Sequence, residues 1–330
     1  MTHAEYPAPC TASSSARPAV VYLDQNMWID LARALKAPED HPRNAELLGW
    51  LAAKVEAGTL RLPLTATNLY ETHKVKNSEL RSAIAFTQAK LSEAHVFRGR
   101  RRRLEIEVSR VLSRLYGLPW SEPSTDWVFS RFFFESQAEH GDASLGIRLS
   151  DGALDLVRMN PEAALFEYLV QIEDVTRQSA VDKFEQSSDR LRADIEERRD
   201  HIRNESLSVR RKIYSAILAF NDQDSLIDIA KKVGLSWSCF KDNNGATMRR
   251  VIEETPAIFI ERELALKLEG QARPIHVNDI RDMRNFSTVL PYADIVVAEK
   301  HFTDLTRQAG LATRFEARLE TDLAALTNLL

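Results

Sequence analysis

The chain has 330 residues, 44% of them hydrophobic and 28% charged, which is the composition of a globular protein and excludes a disordered or collagen-like one. Its net charge of −4 argues against a nonspecific nucleic-acid coat, and its two distant cysteines cannot form a disulfide framework or a thiolate metal site. No run of about 18 apolar residues and no signal-peptide pattern occurs, so we expect a cytoplasmic protein without membrane contact that begins with a flexible tail over residues 1–17.

The first 100 residues alternate between strand-like and helix-like segments. VVYLD, residues 20–24, is an apolar run with β-branched side chains and predicts a buried strand, which a helix follows at once. A second helix is expected over residues 45–57, with Gly58 at the position that favours a helix end. LRLPLT, residues 60–65, predicts a second strand, and residues 66–91 predict a third helix that is broken midway. This alternation is typical of a parallel α/β sheet.

The middle of the chain shows almost no strand signal. Residues 98–115 are rich in arginine and have helical spacing, residues 161–218 predict a long helix, and residues 256–270 predict another. Within the long helix, a heptad-like apolar stripe over residues 181–213 can pack against another helix of the same chain, of a second copy in a homodimer, or of an inhibitor. We therefore expect an all-α segment over residues 101–268.

The last part of the chain returns to the α/β pattern. HVNDIRDMRNFSTVL, residues 276–290, predicts a helix that Asn278 caps and Pro291 ends. ADIVVAE, residues 293–299, predicts a third strand, and residues 312–320 predict an edge strand.

The two ends of the chain are expected to fold together. Neither residues 18–100 nor residues 269–330 contain enough strands for a stable sheet. We therefore predict one α/β domain, a parallel sheet flanked by helices, which is interrupted by the all-α insertion at residues 101–268. Residues 20–24, 60–65 and 293–298 should be neighbouring parallel strands.

Four acidic residues lie at the ends of predicted strands or within the adjoining predicted helices. Asp24 and Glu299 end strands, Glu71 lies in the helix after the second strand, and Asp282 lies in the helix before the third. Because ligands bind at the carboxyl ends of parallel strands, all four map to one edge of the sheet. Clustered carboxylates raise one another's pKa unless a cation neutralises them, and oxygen ligands select Mg²⁺ or Mn²⁺. Such an ion serves phosphodiester hydrolysis.

The order of these motifs resembles the PIN-domain family of metal-dependent nucleases. YLDQNMWIDLA is similar to the family's apolar strand with an Asp and a following Asn, LTATNLYE to its Ser/Thr-rich segment before a Glu, and NDIRDMRNFSTVLPYADIVVAEKHF to its acidic helix and final strand. The resemblance implies a PIN-like fold, with catalytic and metal-binding roles for Asp24, Glu71, Asp282 and Glu299. It also implies that Asn26 assists Asp24 at the substrate.

Asp279 and Asp294 are rivals for places in the metal site. Asp279 precedes Asp282 by about one helical turn. The family's threonine-x-aspartate after the last strand is replaced here by Ala298–Glu299, which makes Asp294 a second candidate for the fourth position. However, at about 3.3 Å per strand residue, Asp294 would lie some 16 Å below the edge, where anchoring the turn after Pro291 is the better interpretation.

RGRRRR, residues 98–103, is the most basic segment of the chain. It is either a solvated helix start or a segment that binds a phosphate backbone. In that role it would guide RNA or single-stranded DNA to the acids. In the second case the phosphate contacts are Arg100, Arg101, Arg102 and Arg103. The predicted function is then that of a Mg²⁺- or Mn²⁺-dependent endonuclease, and the resemblance implies a ribonuclease in a bacterial toxin or defence role.

Two other functions remain open at this point. A PIN scaffold without activity would bind a protein partner through its helical insertion, and the departure at Ala298–Glu299 favours it slightly. A phosphohydrolase of the haloacid dehalogenase type needs a second Asp two residues after the first, and Asn26 stands there instead.

Overall fold

A computed structural model describes residues 17–121, 123–137 and 150–330. The predicted tail at residues 1–17 lies outside this part of the chain, except for Arg17. No helix in these three segments combines the length and the apolar character needed to cross a bilayer.

Six strands form two sheets in the described residues. They are β1 (Ala19–Leu23), β2 (Leu60–Arg61), β3 (Val96–Phe97), β4 (Phe129–Ser130), β5 (Ile295–Val297) and β6 (Arg318–Glu320). The main sheet has the order β2-β1-β5-β6 with every neighbouring pair parallel, and β3 pairs with β4 in an antiparallel ribbon. Since β1 and β5 come from opposite ends of the chain, the prediction that the two ends share one parallel sheet is confirmed.

Helices make up most of the remaining structure. In chain order they are α1 (Gln25–Lys36), α2 (Pro42–Glu56), α3 (Ala66–Lys74), α4 (Ser78–Ser92), α5 (Arg100–Tyr116), α6 (Asp151–Met159), α7 (Pro161–Gln171), α8 (Asp174–Ile202), α9 (Leu207–Asn221), α10 (Gln223–Lys232), α11 (Asp242–Glu254), α12 (Pro256–Glu269), α13 (Val277–Val289), α14 (Lys300–Gln308) and α15 (Leu311–Arg314). Short 3₁₀ turns lie at Phe133–Ser136, Trp237–Lys241 and Leu323–Asn328. The protein is therefore an α/β protein with a large helical content.

Several predicted strands and helices are shorter than expected. The strand predicted over residues 60–65 ends at Arg61, because Pro63 has no backbone N–H to donate to a neighbouring strand. The edge strand predicted over residues 312–320 is a strand only at its end, as β6, although its edge position is correct. The helix predicted over residues 161–218 is three helices, α7, α8 and α9.

Two details of the predicted helices need correction. His276, and not Asn278, is the N-cap of α13, since Asp279 accepts a hydrogen bond from the His276 amide at 2.7 Å. The break in the third predicted helix is confirmed, and the side chain of Asn77 begins the second part by accepting a hydrogen bond from Leu80 N at 2.8 Å.

The sheet separates two apolar cores. Because strand residues alternate between faces, Val20 and Tyr22 pack on one side with α12, α13 and α14, while Val21 and Leu23 pack on the other with α1, α2 and α4. A third core joins α5, α10 and α11 within the insertion. The insertion also contributes side chains to the first core, including Tyr214 of α9, so it packs firmly against the helices of that face.

Candidate active site

Asp24 is the first residue after β1. Its amide donates to Val297 O at 2.9 Å, which aligns the ends of β1 and β5 and brings Asp24 close to the segment that holds Glu299. Although Asp24 occupies the N-cap position of α1, its side chain makes no capping hydrogen bond. The carboxylate is therefore not used as a helix cap, and it lies at the edge of the sheet.

Thr65 connects the elements that carry Glu71 and Asp282. Its hydroxyl caps α3 by accepting from Asn68 N at 3.3 Å, and it lies 3.0 Å from Asn285 Oδ1 on α13. Asn285 stands one helical turn after Asp282 and shares its side of the helix. These contacts fix α3, which carries Glu71, and α13, which carries Asp282, against each other at the end of β1.

The four predicted acids come together at this edge. The pKa of Asp24 is raised to about 7, chiefly by burial and also by the carboxylates of Glu71 and Glu299, although a hydrogen bond from the Gln25 backbone acts against the rise. Burial also raises the pKa of Asp282 to about 9, with added repulsion from Asp24, Glu299 and Glu71. The charges of Asp24, Glu71, Asp282 and Glu299 act on one another in these shifts, and we call this group the acid cluster. Asp279 also raises the pKa of Asp282, but it is paired with Arg273.

The acid cluster has cations on one side only. Arg281, whose side chain is 7% exposed, lies 3.8 Å from Glu71 and 3.2 Å from Glu185. Burial raises the pKa of Glu71, but the charges of Arg281 and Lys74 act against this rise. Within the described segments, neither Asp24 nor Asp282 has a Lys, Arg or His side chain within ion-pair distance. Two half-buried carboxylates therefore lack a positive partner.

Asn26 and Glu299 form the exposed rim of the acid cluster. The amide nitrogen of Asn26 donates to Glu299 Oε1 at 2.6 Å, and both residues are exposed. Asn26 is therefore bonded to Glu299, and not to Asp24 as the sequence had suggested. Its amide orients Glu299 and leaves polar atoms facing solvent.

The donor chemistry of the acid cluster fits a hard divalent cation. Carboxylate oxygens are the ligands that Mg²⁺ and Mn²⁺ prefer, and no side-chain cation of the described segments is paired with Asp24 or Asp282. In the described residues, no three Asp, Glu, His or Cys side chains already stand in a closed ligand set. This follows from the contacts above, since Glu299 turns to Asn26, Glu71 leans towards Arg281, and like charges repel. Asp24, Glu71, Asp282 and Glu299 would hold the ion after side-chain rotations.

A buried polar network joins the helices next to the acid cluster. Gln25 donates to Thr72 Oγ1 at 3.0 Å and accepts from Gln88 at 3.3 Å and from Asn68 at 3.4 Å. These bonds join α1, α3 and α4, so they hold the helix that carries Glu71 in place. The sequence analysis missed this network, although polar residues inside otherwise apolar helix faces were its visible signal.

Tyr22 and Arg281 are further residues that the sequence analysis did not select. Tyr22 is 1% exposed, and burial, followed by the charges of Asp24, Asp282 and Glu71, raises its pKa well above the ordinary value. Its hydroxyl therefore stays protonated close to the cluster. Tyr22 lies two strand positions before Asp24 and on the same face, which was the available signal.

The two rival acids do not join the acid cluster. Asp279 accepts hydrogen bonds from Arg273 at 2.7 and 2.8 Å; although burial opposes this, these bonds lower its pKa, and the residue closes the start of α13. Asp294 accepts from Val20 N at 2.8 Å and from Arg17 at 2.6 Å at the opposite end of the sheet. Both are corrected to structural roles, as the strand rise had indicated for Asp294.

The arginine run is not a continuous basic surface. Arg100 pairs with Asp222 and Glu261, both at 2.6 Å, and Arg103 is 2% exposed and donates to Ser287 O at 2.9 Å. Arg102 pairs with Glu105 at 2.9 Å, while Arg101 is exposed. The prediction of surface phosphate contacts is therefore wrong for Arg100 and Arg103, because these two side chains join α5 to α12 and α13.

Comparison of the chain with protein-family models, with curated proteins and with solved structures finds no match. The function of the site is therefore inferred from its geometry and from the resemblance of its motifs. What the geometry offers is a group of oxygen ligands with excess negative charge at the carboxyl edge of a parallel sheet.

Proposed function

We propose that this chain is a metal-dependent nuclease with a PIN-like α/β domain that hydrolyses phosphodiester bonds in RNA. Asp24, Glu71, Asp282 and Glu299 hold one or two Mg²⁺ or Mn²⁺ ions. The proposal is supported by the mutual effects of these carboxylates, which come from four separate elements, and by the lack of a Lys, Arg or His side chain at ion-pair distance from Asp24 or Asp282 among the described residues.

Some residues of the site would bind the ion, and others orient the residues that bind it. A divalent ion at this place supplies a lower pKa for the attacking water and neutralises charge that develops on the phosphate. Asp24 and Asp282, the acids with the highest pKa values, give up their protons when the ion binds. Arg281 holds Glu71 from the side, and the Asn26 amide holds Glu299 and can donate to a phosphate oxygen.

The choice of RNA and the role in a bacterial toxin or defence system rest on the resemblance to PIN domains. The rim formed by Asn26 and Glu299 is open to solvent, which suits a single strand that crosses the edge of the sheet. A cytoplasmic location would fit such a substrate.

The proposal is tested by cleavage of a labelled single-stranded RNA and of the DNA of the same sequence, in Mn²⁺ and in EDTA. Asp24→Asn removes one ligand charge, so we expect cleavage to fall by about 100-fold or more. The matched control is Asp30→Asn, since Asp30 lies on the adjacent helix α1 and its one ion pair among the described residues is with Arg33. Equal cleavage by wild type and Asp24→Asn, or equal cleavage in Mn²⁺ and in EDTA, would contradict the proposed metal site. Absence of cleavage by the folded wild type would favour the protein-binding scaffold.

A further inference from the structure

A cavity of about 400 Å³ lies between the helical insertion and the α/β domain. Its wall is built by the first turn of α3, by α13, and by the long insertion helices α8 and α9. None of the residues of the acid cluster lines it. The cavity is therefore a separate space that shares two supporting helices with the candidate active site.

Three arginines that line this cavity have no carboxylate partner. Within the described part of the chain, Arg103, Arg198 and Arg284 form no ion pair with an Asp or Glu side chain. Arg284 donates only to the hydroxyls of Ser187, at 3.0 Å, and Ser188, at 3.1 Å. Burying a charge without a counter-charge costs free energy, so these arginines favour an anion in the cavity.

The surroundings of Arg198 and Arg284 also favour an anion in the cavity. Arg198 has a buried Nε with no hydrogen-bond partner among the described residues, and its guanidinium lies 5.2 Å from the Tyr214 ring centre. Burial lowers the pKa of Arg284, which is the effect expected of a cation that water cannot fully solvate. An anionic ligand would supply the missing acceptors.

Two other arginines of the wall are neutralised by carboxylates. Arg100 is held by Asp222 and Glu261, both of which also line the cavity, and Arg98 is paired with Glu135. These acids are already engaged. Among the described residues, Arg103, Arg198 and Arg284 therefore lack a carboxylate at ion-pair distance. Glu107 and Glu261 act on Arg103, and Glu261 acts on Arg284, only from further away.

The remaining wall is largely apolar. Phe97, Phe184, Leu191 and Met283 line it, and Phe184 also lies 5.8 Å below the guanidinium of Arg284. Aromatic and aliphatic side chains of this kind bind the flat face of a nucleobase, and arginines bind phosphate oxygens. The volume is in the range of small-molecule sites.

We propose that this cavity binds a nucleoside phosphate, with its phosphate between Arg198 and Arg284 and its base against the apolar wall. The site goes beyond the nuclease activity, since it uses none of the acid cluster. Its occupation would join α8 and α9 to α3 and α13, and thereby stabilise the two helices that carry Glu71 and Asp282.

The test is calorimetric titration of the full chain with nucleoside 5′-monophosphates and 5′-diphosphates in EDTA, so that neither metal binding nor cleavage contributes. We expect saturable binding that Arg284→Gln and Arg198→Gln each weaken by about tenfold or more, because a charge-assisted contact is lost. Arg43→Gln is the matched control, since Arg43 lies on α2 outside the cavity and is exposed. It should bind as the wild type does.

Three results would overturn the proposal. The first is binding that is unchanged in Arg284→Gln and Arg198→Gln. The second is equal affinity for inorganic phosphate or for the unphosphorylated nucleoside, since the cavity offers both an anion site and an apolar wall. The third is binding of a 5′-phosphorylated trinucleotide without binding of any mononucleotide, which would make the cavity a subsite for the substrate strand. Circular dichroism establishes that each variant is folded, and Arg198→Gln keeps the test decisive if Arg284→Gln does not fold.

Discussion

The amide nitrogen of Asn26 lies 2.6 Å from Glu299 Oε1, although the two residues are 273 positions apart in the sequence. This contact crosses from the first helix of the domain to the end of its third parallel strand. It exists because β1 and β5 are neighbours, so that the residues following each strand meet at one edge. The acid cluster is thus a product of the split domain, and the insertion does not interrupt it.

The stability of the metal-free protein should fall as the pH rises above about 4. The unfolded chain loses the protons of Asp24 and Asp282 near the ordinary value of 3.8, whereas the folded protein retains them until about pH 7 and about pH 9. Between these limits the folded state binds more protons, so rising pH favours unfolding. Thermal unfolding in EDTA at pH 6 and pH 9 measures the effect.

The control for this pH dependence is the double variant Asp24→Asn, Asp282→Asn. It removes both raised groups, so the difference in Tm between pH 6 and pH 9 should shrink markedly relative to wild type. An identical pH dependence of the two proteins would show that the pKa values of Asp24 and Asp282 are not raised in the folded protein.

Neutralising Asp282 alone should stabilise the metal-free protein at high pH. Asp282→Asn removes a half-buried carboxylate that four other acids repel, and an amide of similar shape fills the same space. We expect a higher Tm than wild type in EDTA at pH 9, and no further rise when Mn²⁺ is added. A lower Tm in EDTA would mean that the carboxylate makes a net favourable contact.

The sequence was informative where chemistry depends on neighbouring residues along the chain. Asp24 and Glu299 could be selected because each follows an apolar strand, and parallel strands bring their ends together. The partners of Arg100 and Arg103 could not be selected, since Asp222, Glu261 and Ser287 approach only after the insertion folds back on α5. Local spacing cannot distinguish a solvated arginine from one that bridges distant helices.

Arg100 should contribute to stability and not to a surface grip on nucleic acid. Arg100→Gln removes the cation that pairs with both Asp222 and Glu261. Breaking such a buried pair costs about 3 kcal/mol of unfolding free energy. The exposed neighbour Arg101 offers a matched substitution, Arg101→Gln, with an expected change of about 0.5 kcal/mol or less. Urea unfolding of the two variants makes the comparison, and equal stabilities would contradict the assigned role of Arg100.

Removing the support of Glu71 should weaken metal binding without abolishing it. Arg281→Met keeps much of the side-chain volume but removes the charge that holds Glu71 and Glu185. The pKa of Glu71 should rise, so a larger share of the protein must lose a proton before the ion binds. Mn²⁺ affinity should then be lower at pH 6 than in wild type and approach it at pH 9, whereas a pH-independent loss would indicate damage to the fold.

Direct titration of Mn²⁺ tests the central claim that the acid cluster is a metal site. Calorimetry on the full chain at pH 8 should give one or two bound ions in wild type and in Asp30→Asn, and proton release should accompany binding because Asp24 and Asp282 are partly protonated. Asp24→Asn and Asp282→Asn should each reduce the affinity strongly or abolish a site. Absence of Mn²⁺ binding in the folded wild type, or equal binding in all four proteins, would contradict the account.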